Sequence, residues 1–239
     1  MTEPISRPER AERTERTVPA ERSGDGRRER WNDHRVRRRA VLVEAGVTAI
    51  DTYGPESSAE EIAATARVSR TVLYRYFRDK EDLRNAISRR VGDIVIAELL
   101  PPLRSGQTAN QIIGGTLDAL TLWVDAHPRL YNFLRQRGTS GDSALGDVEA
   151  TIADQLADLL SGFMAQFGLR TELAEPASQS MVGMVEHTIA WWMKGRKVSR
   201  DELVQHLRFA IWDVIDGELR RSHIQLGIDD PLPFIDETR

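Results

Sequence analysis

Residues 58–83 read SAEEIAATARVSRTVLYRYFRDKEDL, and the punctuation of this stretch decides the fold. Ser58 followed by Glu61 is a capping box, in which hydroxyl and carboxylate each satisfy a backbone amide of the first turn. A short helix therefore starts there and runs through Thr65. Ser69 caps a following helix that carries Val72, Leu73, Tyr76 and Phe77, and three residues separate the two. Helix, tight turn and helix at this spacing suit a helix-turn-helix, whose second member lies in the major groove of DNA. Ile62, Ala63, Ala66, Val68 and Leu73 would lock the pair together, with the small Ala63 at the closest approach. The outward positions Arg70, Thr71, Tyr74, Arg75 and Tyr76 offer donors, aromatic faces and a methyl group. Such groups can meet phosphates, base edges and a thymine methyl.

Upstream, Val36, Ala40, Val43, Val47 and Ile50 recur at helical spacing, and Tyr53-Gly54-Pro55 stops that helix. Downstream, Asp79-Lys80 opens another helix, with Leu83, Ile87, Val91, Ile94 and Val95 on one stripe, and Pro101-Pro102 ends it. Lys80, a cation beside free amides at a helix start, has the makings of a phosphate clamp. Further helices are expected over 109–126, 128–137, 147–167, 176–194 and 199–220, the last opened by the capping box Ser199-Arg200-Asp201-Glu202. No window alternates with period two, so the expected class is all-α. It comprises an N-terminal three-helix helix-turn-helix domain joined to a helical-bundle domain for ligand binding and dimerisation. The divisions expected are a disordered basic arm over 1–30, a DNA-binding domain over 31–80, a body over 81–225 and a tail over 226–239.

The formal net charge of the 239 residues is −4, a sign that speaks against phosphate binding until it is divided. Residues 1–90 hold 20 Lys and Arg against 16 Asp and Glu, whereas residues 91–239 hold 13 against 21. A basic head on an acidic body is the balance of a phosphate-facing module joined to one that does not touch DNA. No run reaches the ~18 apolar residues of a membrane span, and no secretory pattern opens the chain. The absence of cysteine excludes disulfides, thiol catalysis and thiolate metal sites. Scattered histidines form no short ligand pair, so neither metal nor cofactor is expected. A cytoplasmic location without membrane contact fits these features.

The string from Glu60 to Leu83, above all Val68-Ser69, Leu73-Tyr74, Tyr76-Phe77 and Lys80-Glu81 with Leu83, resembles the N-terminal signature of the tetracycline-repressor (TetR) family of bacterial regulators. The resemblance implies a homodimer, two heads on a palindromic double-stranded DNA operator and a small-molecule pocket in the body. It places Ser69, Arg70, Thr71, Tyr74 and Tyr76 on the DNA face and Lys80 against a phosphate; Ser58 and Arg75 are further candidates for DNA contact, although Arg75, like Val72, replaces a commoner family choice. The family turn carries glycine where this chain has Arg67. Either the turn differs here, or Arg67 adds a phosphate contact. Arg37 and Arg38, in a basic run entering the first helix, either follow the DNA backbone or form an ordinary solvated face.

Beyond residue 100 no string is diagnostic. The resemblance implies dimerisation through the last two long helices, where Met181, Met184, Val185, Leu207, Ile211 and Val214 would fill the interface. Trp123, Tyr131, Phe133, Leu134, Phe163 and Phe167 are candidates for a pocket lining, joined by Trp191 and Trp192. Glu186 and His187 are its candidate polar groups. Aromatics at helical spacing more often serve a core, but as a set these favour an apolar or amphipathic effector. The function expected is a ligand-responsive repressor. An activator or ligand-independent DNA binder is the alternative. A helical enzyme is a remote one, because phosphate loop, nucleophile elbow and metal cluster are all missing.

Overall fold

Asp25–Tyr53 forms helix α1 in a computed structural model that describes residues 25–99, 107–136 and 144–232. The helix begins ahead of its expected onset. Asp25 to Arg30, assigned from their charge to a disordered arm, are helical, in keeping with the helix propensity of arginine and glutamate. Residues 1–24 of that arm lie outside the described residues. Val36 is 67% exposed and Ala40 is exposed as well. Of the expected stripe Val43 and Ile50 are buried and Val47 packs on the core, joined on the inward face by Leu42 and Ala49.

From Arg39 the described residues pack as one compact unit. Its elements are the end of α1, α2 (Ala59–Thr65), α3 (Arg70–Leu73), α4 (Lys80–Leu99), α5 (Ala109–Ala126), α6 (Pro128–Arg135), α7 (Ala144–Gln166), a 3-10 turn (Thr171–Leu173), α8 (Ala174–Gly195) and α9 (Arg200–Arg221). Local chemistry fixes most starts: Ser58 with Glu61, Thr108 with Gln111 and Ser199 with Glu202 all close capping boxes. Pro128 opens α6 at a position where its missing amide costs nothing. No strand occurs among the described residues; Thr108 and Pro231 form an isolated antiparallel bridge. No described helix is long and apolar enough to cross a membrane.

Glycines set two helix crossings. A Cβ on Gly46 would lie 2.3 Å from Ile87 Cδ1, so α1 and α4 touch backbone to side chain. On Gly92 it would lie 2.7 Å from Val148 Cγ2, where α4 meets α7. Helix α4 thereby packs against the head at one end and the body along the rest. The segment expected as a tail is partly docked: the Asn110 amide donates to Ile228 O (2.9 Å), and the Leu232 amide to Gln107 O (3.0 Å). Ile224, Leu226, Ile228 and Leu232 cover Trp212, Leu219 and Ala109 there. Apolar side chains spaced through 224–232 give this strap its reason to bind. Residues 233–239 lie outside the described residues.

Candidate nucleic-acid interface and body cavity

The turn between α2 and α3 is a Schellman motif. The Val68 amide donates to Ala63 O (2.9 Å) and the Arg67 amide to Ala64 O (3.0 Å). That geometry demands a left-handed residue, and Arg67 supplies it at φ +54°. The turn is therefore made without glycine, at a cost of about 1 kcal/mol for an L side chain in this region. The guanidinium stands exposed beside α3. Arg67→Gly is expected to raise thermal stability slightly. It is also expected to flatten the log–log salt dependence of DNA binding by about 0.9, the increment of one lost phosphate contact. Thermal melts and gel shifts across a salt series read both effects.

Ser69 caps α3 through its hydroxyl, which accepts from the Val72 amide (3.3 Å). Arg70, Thr71 and Arg75 are exposed; Tyr74 and Tyr76 are half-buried, so their rings lean on the core. Arg70 pairs with Glu60 and lies over the Tyr74 ring at 5.5 Å. Both partners of that pair are open to water, so it is worth no more than about 1 kcal/mol and can yield to a phosphate. Ser58 is occupied in its capping box, its amide 2.7 Å from Glu61 Oε2. Lys80 is exposed at the start of α4, where Asp79 Oδ1 already accepts from the Asp82 amide (2.8 Å). The cation, more than the amides, is what Lys80 can offer. Arg37 and Arg38 are exposed on α1. Arg39 is committed to structure, 3.1 Å from Asp82 and stacked over Phe77 at 4.7 Å. Exposed Arg78, between Tyr76 and Lys80 on the same connection, extends the cationic row beyond the expected residues.

The body holds a partly open cavity of about 510 Å³ bounded by α4, α5, α6, α7, α8, α9 and Leu232 of the strap. This falls within the range of sites for drug-sized ligands. Of the expected lining, Trp123, Tyr131, Leu134, Phe163 and Glu186 face it. The others lie elsewhere. Phe133 is buried beneath the Arg84 guanidinium (4.5 Å), and Phe167 packs on Phe163 (4.9 Å). Trp192 is buried, donating from Nε1 to Val198 O (2.9 Å), while His187 and Trp191 point outward. Three residues expected at a subunit interface, Met181, Val185 and Ile211, line the cavity instead. Leu207 is fully buried and Met184 packs on the core, which leaves Val214, 41% exposed, on the outside. The reason is that α8 and α9 turn their most continuous aliphatic stripes toward their own body.

Glu149 and Asp158 also line the cavity and were missed. Glu149 interrupts the apolar series Leu145, Val148, Ile152 and Leu156 of α7, a signal that was available in the sequence. Burial pushes its carboxyl up to about 6, with the Glu186 carboxylate adding to the rise and Arg135 opposing it. Arg135 lies 3.7 Å from Glu186. Burial also pushes the Tyr131 phenol up to about 12, and its Oη has no hydrogen-bond partner among the described residues. Because the folded carboxyl of Glu149 is the weaker acid, its ionised form costs stability above pH ~6, and the cost fades as pH falls toward 4.5. Allowing for partial exposure, the cost is about 1 kcal/mol. Glu149→Gln is therefore expected to be more stable than the parent at pH 7.5, with most of the difference gone at pH 4.5. Urea unfolding at the two pH values measures it.

Comparison with known proteins bears on both sites. A model described as bacterial regulatory proteins, tetR family, matches residues 42–87, and one described as tetracyclin repressor-like, C-terminal domain, matches residues 99–224. An uncharacterised HTH-type transcriptional regulator of Mycobacterium tuberculosis is 34% identical over 195 residues, covering 81% of this chain and 83% of that protein. A tetR-family regulator from Streptomyces coelicolor has a similar fold, with TM-score 0.63 at 20% identity over 77% of this chain and 83% of that one. So has the regulator FadR from Bacillus subtilis in complex with stearoyl-CoA, with TM-score 0.54 at 19% identity over 74% and 98%.

Proposed function

The chain belongs to the tetR family of bacterial regulatory proteins, and on that premise we propose that it is a ligand-responsive repressor. It binds a palindromic operator as a homodimer and leaves it when an apolar or amphipathic molecule enters the body cavity. The observation that carries this reading is the position of α6, which touches both sites. On one side Tyr131 and Leu134 line the cavity. On the other, Arg129 donates to Asp51 O and Thr52 O at the end of α1 (2.9 Å each), and His127 Nδ1 lies 3.1 Å from Asp51 Oδ2. Gln136, just past the helix, reaches Glu56 Oε1 (2.7 Å) and accepts from Arg84 of α4 (2.8 Å). A ligand that displaces α6 therefore pulls on the frame that seats α2 and α3. Helix α4 shares the task, with Val95 and Leu99 in the cavity wall and Lys80 at the head. A hundredfold loss of operator affinity needs a differential ligand affinity of about 2.7 kcal/mol between the two states.

The second subunit has a natural seat. Gly183, His187 and Trp191 form an exposed row on α8, and His206, Phe209 and Asp213 one on α9. Trp191 and Phe209 are each 46% exposed, large side chains that the monomer leaves in water. Gly183 meets no neighbour and would let a facing helix approach closely.

Gel shifts on DNA upstream of the chain's own gene test the reading. A specific, salt-sensitive complex is expected. Tyr74→Ala should weaken it by about 1–3 kcal/mol, the size of a good base or backbone contact. Equal binding by the variant at matched salt would move recognition off this face.

A further inference from the structure

We infer that the effector is a lipophilic amine, held with its protonated nitrogen at the end of the cavity formed by Tyr131, Glu149 and Glu186. The inference rests on the proposed effector site and adds the chemistry of its occupant.

The charges that line the cavity all have one sign. Glu149, Asp158 and Glu186 are carboxylates, and no lysine, arginine or histidine stands among the described lining residues. Arg135, outside the lining, pairs with Glu186 at 3.7 Å and lies over the Tyr131 ring at 5.7 Å, and its charge also opposes the rise at Glu149, so one cation stands against the three carboxylates. Glu149 has no ion pair among the described residues, and it carries the burial penalty already described. An ammonium group placed beside it would reduce that penalty by supplying the direct ion pair and hydrogen bonds that Arg135 does not give it. A neutral ligand would leave the charge uncompensated and still more deeply buried. An anionic one would add repulsion.

Tyr131 is compatible with the same occupant. Its Oη has no partner among the described residues, and as a neutral hydroxyl it can accept from an N–H donor as well as donate. Trp123 and Phe163 present further aromatic surface to the cavity, and aromatic faces attract cations that have left water. Apart from Gln107, Thr116 and Trp212 the remaining wall is aliphatic or methionine, so the body of the molecule has to be largely apolar. Stearoyl-CoA, which the structural neighbour FadR holds, carries phosphates for which this lining offers no counter-charge.

Two matched probe series separate the charge from the body: decylamine, decanol and decanoate, and 1-naphthylmethylamine, 1-naphthalenemethanol and 1-naphthoate. Binding is read at pH 7.5 by quenching of tryptophan fluorescence, with Trp123 in the cavity wall as reporter, and operator release by gel shift. In at least one series the amine is expected to bind tenfold or more tighter than the alcohol, and the acid weakest. Glu149→Gln and Glu186→Gln should each cut the amine-to-alcohol ratio at least threefold. Measuring the ratio within each variant cancels any general change in the fold. Equal binding of amine and alcohol in both series overturns the amine assignment and leaves an apolar effector site standing. So does preference for the acid, or an amine preference that survives both substitutions together. Failure of all six probes to bind overturns the assignment and the effector site with it.

Discussion

Phe209→Asp is expected to convert the proposed dimer to monomers and to lower operator affinity at least a hundredfold. Phe209 is a large side chain left 46% exposed by its own subunit. In a dimer seated on α8 and α9 it becomes part of a dry centre. An unpaired carboxylate there costs about 3–5 kcal/mol, enough to dissociate the subunits at micromolar concentration. Two heads without a fixed spacing lose the second half-site, and specific binding falls accordingly. Val41→Asp makes the matched control for oligomeric state, since Val41 is 52% exposed on α1, outside α8 and α9. Sedimentation velocity should show monomers for the first variant and dimers for the second. A Phe209→Asp dimer would place the interface on another face.

Leu73→Ala is expected to have the largest effect on stability. Leu73 has no exposed surface and belongs to the core cluster that includes Ile62, Ala63 and Phe77. Truncating a fully buried leucine costs about 2–5 kcal/mol. For a chain of this size the melting temperature should fall by roughly 5–15 °C. Operator binding should vanish before global unfolding, because α3 has only four residues and loses the side chain that seats it. Calorimetry and gel shifts at 10 °C separate the two effects. A variant that melts within 2 °C of the parent would show that this core repacks.

The head was legible because its determinants are local. Ser58, Glu61 and Ser69 act within three residues of themselves, and the spacing of Ala63, Val68 and Leu73 fixes which faces meet. Helix starts were legible for the same reason: Ser199 marks α9, while α7 and α8 begin a few residues earlier than their apolar patterns suggest. The cavity was harder to read because it depends on the rotation of helices with two apolar faces. Adjacent Trp191 and Trp192 make the point, since neighbours on a helix are about 100° apart and only one can face inward. Trp192 is 2% exposed and Trp191 46%, a choice made by packing against other helices. The same rotation turned Met181, Val185 and Ile211 from expected subunit contacts into cavity wall. Glu149 escaped notice because a lone acid in an apolar stripe is conspicuous only once the stripe is known to surround space.

The strap over residues 224–232 gives the protein an order of manufacture. Asn110 waits for Asp229, 119 positions later, to complete its side-chain bond (2.7 Å). The wall that Leu232 adds to the cavity is the last part of it to emerge from a ribosome. The turn and caps of the head, by contrast, are complete once Asp82 has been made. Chains grow from the N-terminus and earlier segments fold first. The candidate surface for DNA is thus built early and the cavity of the body late. A product that stops short of the strap lacks one piece of the cavity wall, with Trp212 and Leu219 stripped of their cover.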